Sequence, residues 1–275
     1  MDPASPAATP PLPGPVAALA GNPEPDARDA ALPDPDPHPL RDRLVVLVGG
    51  ATGIGFAVAR LVVRGGGRVL LGGRTRARLD EATATLGPRA EARVVDTADP
   101  AGIAAFFDGV GAVDGVFTTA ATYTTGSFAE SDESEARSPF ESKFWGQYRV
   151  VRAALPHLTP TAAVVLMSGA ASVRPAGPAP AYVAANAAIE GLARGLAVEL
   201  APIRVNAVAP GTVDGHLWRS RPDEVRRAAF AGYSAQALLG RPGTEDEIAR
   251  AVLHLLTSTY TTGSTLYVDG GYALR

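Results

Sequence analysis

The run Gly49-Gly50-Ala51-Thr52-Gly53-Ile54-Gly55 follows the apolar stretch Leu44-Val-Val-Leu-Val48 and opens a segment of helical period. Glycines at a strand-to-helix turn let the backbone approach a ligand closely. The helix start adds unpaired N–H groups and the positive end of its dipole, which together suit a pyrophosphate. A tight, closely packed turn also needs glycine, but the preceding strand, the spacing and the place at the head of the chain's pattern favour a dinucleotide. Cofactor choice rests on the residue that ends the next strand. An acid there accepts hydrogen bonds from a ribose and repels a 2′-phosphate, whereas an arginine pairs with that phosphate. The chain reads Leu70-Leu-Gly-Gly-Arg74-Thr-Arg76 with no carboxylate before Asp80, so Arg74 points to NADP(H), while Arg76 and Arg78 fit a solvated loop. Of 25 basic residues, Lys143 is the only lysine. Arginine cannot be deprotonated and its fork is planar, so a site that needs a compact, tunable cation is one place where arginine cannot serve. His38, His157, His216 and His254 lack metal-ligand spacing and cysteine is absent, so no metal site is expected.

These residues need a scaffold. The chain has 275 residues, 46% hydrophobic and 19% charged, enough to bury a sizeable core. Residues 1–39 hold half of the 24 prolines and a net charge of −5, and have no hydrophobic period; they read as an extended, solvated tail. Subtracting that −5 from the chain's −3 leaves about +2 for residues 40–275, without the basic excess that nucleic acid or anionic lipid requires. No apolar run approaches a membrane span and no secretory leader is evident, so a cytoplasmic location is expected. From Leu40 onward, strands are expected at Leu44–Val48, Arg68–Leu71, Ala92–Asp96, Gly115–Thr118, Ala163–Ser168, Arg204–Ala209 and Thr265–Val268. They alternate with helices near 54–64, 76–86, 100–108, 138–156, 181–200 and 245–257. Alternation of this kind predicts right-handed crossovers and a parallel sheet covered on both faces: one doubly wound, Rossmann-type α/β domain with seven strands over residues 40–275.

Residues 40–275 resemble the short-chain dehydrogenase/reductases. The family's Gly-x-x-x-Gly-x-Gly turn is matched by Gly49, Gly53 and Gly55, its adenine-contacting Asp by Asp96, and its helix-opening Tyr by Tyr182. Arg204-Val-Asn-Ala-Val-Ala-Pro-Gly211 and Leu266-Tyr-Val-Asp-Gly-Gly271 also follow the family pattern. The resemblance implies a cofactor lying against Gly49, Thr52, Gly53, Ile54, Gly55 and Arg74 on one side, and Asp96, Ala120, Tyr182, Pro210, Gly211 and Val213 on the other. It also implies a working site built from a Tyr, a Lys four residues later that lowers its pKa, an upstream Ser and an Asn on the fourth helix. Here Asn186 holds the Lys position and Lys143 the Asn position, so the two are exchanged between helices. Ser168 stands one residue before the usual Ser position, which is Gly169. Thr118-Thr-Ala-Ala121 replaces the usual Asn-Asn-Ala-Gly, and Gly215 stands where a Thr usually holds the nicotinamide carboxamide.

The expected catalytic set is therefore Tyr182 as general acid/base, Lys143 as its electrostatic partner, Ser168 as an oxygen-orienting donor and Asn186 holding water or ribose. The reaction implied is hydride transfer between NADP(H) and the carbonyl/alcohol, or imine/amine, of a small and largely apolar molecule. Phe144, Trp145 and Tyr148 fit packing or a subunit interface, and the resemblance implies a homodimer or homotetramer through the fourth and fifth helices. Two other readings keep the fold: a sensor or scaffold that binds NADP(H) without catalysis, and redox-neutral chemistry with a retained cofactor.

Overall fold

The computed structural model describes residues 39–274; the expected tail, save Pro39, lies outside the described residues. The elements run β1 (Leu44–Val48), α1 (Gly53–Arg64), β2 (Arg68–Gly73), α2 (Arg76–Leu86), β3 (Ala90–Val94), α3 (Pro100–Phe107), β4 (Val113–Thr118), α4 (Glu133–Pro139) and, after a π-helical turn at Phe140–Trp145, α5 (Gly146–Ala154). Then follow β5 (Leu158–Met167), α6 (Pro180–Glu199), β6 (Arg204–Pro210), β7 (Val213–Asp214), α7 (His216–Arg219), α8 (Asp223–Ser234), β8 (Gly243–Thr244), α9 (Glu245–Thr257) and β9 (Thr265–Val268). The main sheet has seven parallel strands in the order β3-β2-β1-β4-β5-β6-β9.

The inner strands are runs of Val, Leu and Ala because both faces of the sheet are covered. On one face α1 and α9 pack Val58, Val62, Ile248 and Val252 against Val45, Leu47 and Val165. On the other, α3, α5 and α6 bring Phe106, Val150 and Ile189 onto Val46, Val164 and Leu166. Local chemistry sets the helix starts. Asp99 caps α3 by accepting from the Ala101 N–H at 3.0 Å, with Pro100 in the first turn. Thr244 and Glu247 form a capping box on α9. Strand order reverses between β1 and β4, so a crevice opens beyond their C-terminal ends.

Four expectations shift. The third strand is Ala90–Val94, earlier than expected, because the Gly87 turn starts it and β2 sets its register through Val69 opposite Ala90. β5 begins at Leu158, where Leu158 pairs with Val113 beside an irregularity in β4. The single helix expected over 138–156 is three pieces, with Lys143 inside the π turn. A helix not expected from the sequence, α8, follows α7.

The glycine turn depends on close approach. A Cβ on Gly55 would lie 2.2 Å from the Gly49 carbonyl oxygen, so the turn closes only if residue 55 lacks a side chain. Gly55→Ala is expected to cost the ~1–3 kcal/mol of an overpacked site, a fall in Tm of roughly 2–10 °C for a domain of this length. Thermal unfolding followed by circular dichroism checks this.

Candidate active site

The crevice is a cleft of about 820 Å³. At its floor Gly49, with φ +88°, turns so sharply that a Cβ would sit 2.5 Å from Thr119 Oγ1 and 2.7 Å from the Ala120 nitrogen. Helix α1 starts behind it with no side-chain cap and no acid in its first turn, so the first N–H groups remain free for an anion. A backbone cradle with free donors fits a dinucleotide diphosphate. Thr52, Gly53 and Ile54 line this end. Arg74 lines the cleft just past β2 and donates to Thr122 Oγ1 at 2.8 Å. Asp96 faces it across the floor, one carboxylate oxygen accepting from the Ala98 N–H at 2.9 Å. Ala120, Tyr182, Pro210, Gly211 and Val213 also line the cleft. Gly55 does not; it packs beneath, against Gly49, which corrects its expected contact with the cofactor.

The wider π turn carries Lys143 inward, where it is buried. Its ammonium donates to the Ser168 carbonyl at 2.8 Å and to Asn186 Oδ1, and lies 5.2 Å from the centre of the Tyr182 ring. Asn186, one helical turn past Tyr182, donates from Nδ2 to the Tyr182 carbonyl at 2.8 Å. A Cβ on Gly169 would press on Asn186 Oδ1 at 3.1 Å and touch the Tyr182 hydroxyl at an ordinary 3.5 Å. Burial pulls Lys143 below its ordinary pKa, while Tyr182 and Glu190 act against it. Burial pushes the Tyr182 phenol up, but the Lys143 ammonium and hydrogen bonds with Tyr123, Asn186 and Lys143 outweigh it, leaving a net shift below 10.0. The arrangement is a phenol prepared to lose its proton beside a dehydrated cation.

Two expected roles need correction. The Ser168 side chain is 2% exposed and its hydroxyl faces away from the cleft, within reach of the Asn186 carbonyl at 3.0 Å and Glu190 Oε1 at 2.9 Å. It therefore has no proton to offer a substrate oxygen; its carbonyl, instead, anchors Lys143. Asn186 is fully buried and spends its amide on Lys143 and the Tyr182 carbonyl, so it does not hold water or ribose.

At the open end Tyr123 stacks on Tyr182, ring centres 5.0 Å apart and 25° between planes. Burial and then the neighbouring Tyr182 push the Tyr123 phenol up, so it stays protonated. Leu217 and Trp218 of α7 also line the cleft, and Trp218 meets Phe230 of α8 edge-on at 5.8 Å. Glu245 reaches over the glycine turn and accepts from the His216 backbone N–H at 2.6 Å. A Cβ on Gly215 would lie 2.4 Å from that carboxylate, so a side chain there would require Glu245 to move.

A family model described as enoyl-(acyl carrier protein) reductase matches residues 49–273. A short-chain dehydrogenase/reductase, ucsE, from an Acremonium species is 30% identical over 252 residues, covering 84% of this chain and 96% of its own. The chain belongs to the short-chain dehydrogenase/reductase family. Within this family, the 3-oxoacyl-[acyl-carrier-protein] reductase FabG of Chlamydia muridarum is 29% identical, across 85% of this chain and 98% of its own. A solved short-chain oxidoreductase from Pseudomonas aeruginosa PAO1, described as NADPH-bound and containing an atypical catalytic center, aligns with TM-score 0.75 and 32% identity over 84% of this chain and 98% of that one. Against the family pattern, Tyr123, Glu190 and Glu245 are site residues that sequence reasoning missed. Glu190 carried the one legible signal, an acid about two helical turns past Tyr182 in the Ala-rich helix α6.

The shifts on Lys143 and Tyr182 make stability depend on pH. Both groups have folded pKa values below their ordinary 10.5 and 10.0, so between those values the unfolded chain binds more protons and stability rises with pH. From pH 7 to 9.5 the urea midpoint of Lys143→Met is expected to rise less than the parent's, when both are compared by fluorescence-monitored unfolding in matched buffers.

Proposed function

We propose that this short-chain dehydrogenase/reductase is an NADP(H)-dependent oxidoreductase that interconverts the carbonyl and alcohol, or imine and amine, of a small molecule with an apolar body. The observation that carries the reading is the buried Lys143 ammonium beside Tyr182 at the mouth of the dinucleotide cleft. When bound, the nicotinamide supplies or accepts the hydride. In the reducing direction Tyr182 donates its phenolic proton to the substrate oxygen; in the oxidising direction its phenolate takes the hydroxyl proton. The Lys143 charge stabilises that phenolate: at ~4 Å and an effective dielectric near 20 an ammonium contributes about 4 kcal/mol, or roughly three pK units before desolvation is subtracted. Tyr123, Leu217 and Trp218 offer apolar faces for the substrate body and exclude water. The NADPH-bound Pseudomonas relative with its atypical centre supports an active site that departs from the usual set. Exposed Trp145 and Val198 support association of copies through α5, α6 and the π turn, which light scattering would test.

Arg74 at the end of β2 supports the choice of NADP(H). NADPH is expected to bind more tightly than NADH, and Arg74→Ala to remove most of the difference. A charge-assisted contact of ~1.5–3 kcal/mol corresponds to roughly ten- to more than a hundredfold in affinity. Fluorescence titration with both cofactors measures it; equal dissociation constants in the parent would reject Arg74 as a selector.

Tyr182→Phe and Lys143→Ala should each lower turnover by about a hundredfold or more. The double variant should lose little beyond either single one, since the pair acts as a unit, and Lys143→Arg should rescue poorly. NADPH consumption with a carbonyl panel is the assay. A parent that binds NADPH yet never oxidises it would instead be the non-catalytic binder, and turnover without net NADPH loss would mark redox-neutral chemistry.

A further inference from the structure

The covering segment between β7 and β8 is rich in arginine, and its cations are not equivalent. Arg219 pairs with Asp214 at 3.4 Å, Arg226 with Asp223 at 3.0 Å, and Arg241 with Glu247. Arg221 and Arg227 have no carboxylate partner among the described residues, and of the two only Arg221 lines the cleft. Its guanidinium lies over the Trp218 ring, 4.7 Å from the centre, and the side chain borders the cleft. A planar cation stacked on an indole is held in orientation while its N–H fork stays available.

Its place in the cleft gives that fork a direction. Arg221 lies near enough to Tyr123 to draw its phenol down against burial, and Tyr123 stacks on Tyr182. Held on Trp218 of the covering segment, Arg221 therefore enters the cleft from a different element than Arg74, which follows β2. The cleft's own carboxylates are engaged elsewhere: Asp96 in the turn after β3, and Glu245 on the His216 N–H over Gly53. The lining cations without a carboxylate are thus Arg74 and Arg78, which follow β2, and Arg221 on the covering segment, while Lys143 is already satisfied by Ser168 and Asn186.

We propose that Arg221 anchors a carboxylate on the substrate, so that the molecule reacting at Tyr182 is a keto or hydroxy acid with an apolar body. The inference rests on the oxidoreductase reading above. Arg221 recognises one end of the substrate while Tyr182 works at the other, and the fork accepts a carboxylate in two parallel hydrogen bonds.

The test uses the full chain with NADPH and the pair 4-acetylbenzoate and its methyl ester, which differ in charge at one end. The parent is expected to show a KM for the acid at least about tenfold below that for the ester, and Arg221→Gln to bring the two within about twofold. Arg219→Gln, whose arginine is paired with Asp214, should keep the parent's ratio. Calorimetric titration of the NADPH complex with benzoate and benzamide reads the anchor without turnover: benzoate should bind preferentially to the parent and lose that preference in Arg221→Gln. If NADPH is never consumed but benzoate binds through Arg221, the oxidoreductase reading fails and the anchor stands. If neutral carbonyls turn over and the parent prefers neither benzoate nor the acid, the anchor is wrong and the oxidoreductase stands. If Arg221→Gln weakens NADPH binding and leaves the acid preference intact, the cation belongs to the cofactor and the proposal is overturned.

Discussion

A lysine ammonium taken out of water costs several kcal/mol unless acceptors replace its hydration, and the centre of this fold is arranged around meeting that demand for Lys143. The π turn brings the side chain in, the end of β5 presents the Ser168 carbonyl, and the second turn of α6 presents the Asn186 amide. Three elements distant in sequence must therefore meet within hydrogen-bond reach. The exchange of Lys and Asn between helices follows the same logic: with the cation already on the π turn, a second ammonium at 186 would repel it, whereas an amide oxygen accepts from it. The missing serine fits as well, because Gly169 leaves clear the space that the Tyr182 hydroxyl and the Asn186 amide border.

Behind this centre stands a second buried charge. The Glu190 carboxylate accepts from Ser168, Ser172 and Tyr267 hydroxyls, so it is satisfied by neutral donors and not by direct contact with the lysine. Cation and anion sit on opposite sides of Ser168, whose carbonyl serves one while its hydroxyl serves the other. Glu190 thus acts against the burial that lowers the Lys143 pKa without the close ion pair that would neutralise the lysine's effect on Tyr182. A phenol that burial pushes up, and that one nearby cation and its hydrogen-bond partners pull down further, is suited to both giving and taking a proton.

The cleft divides its labour by charge. Free backbone N–H groups lie at the glycine turn, Arg74 follows β2, and Arg221 stands on the covering segment, all lining one cleft. Glu245 occupies the space over the glycine turn and holds the β7–α7 junction through the His216 N–H. This contact ties the covering segment to the start of α9 and fills the space beside Gly215.

The alternating strands and helices, the glycine turn and Arg74 were legible in the sequence because each depends on local rules: side-chain period, backbone freedom at one turn, and the residue type that ends one strand. The unusual weight of Lys143 was legible too, from its being the only lysine in the chain. Its partners were not. Ser168 and Asn186 lie 25 and 43 residues away from it, and the direction each presents depends on an extra residue wound into a π turn that the apolar period of 138–156 does not reveal. The family resemblance therefore gave the Ser168 hydroxyl to a substrate oxygen and the Asn186 amide to water or ribose, while packing turns the hydroxyl toward Glu190 and commits the amide to the lysine. The sequence by itself determined the frame and the cradle; tertiary structure alone decided which polar groups remain free to do chemistry, because that depends on which donors and acceptors burial has already paired.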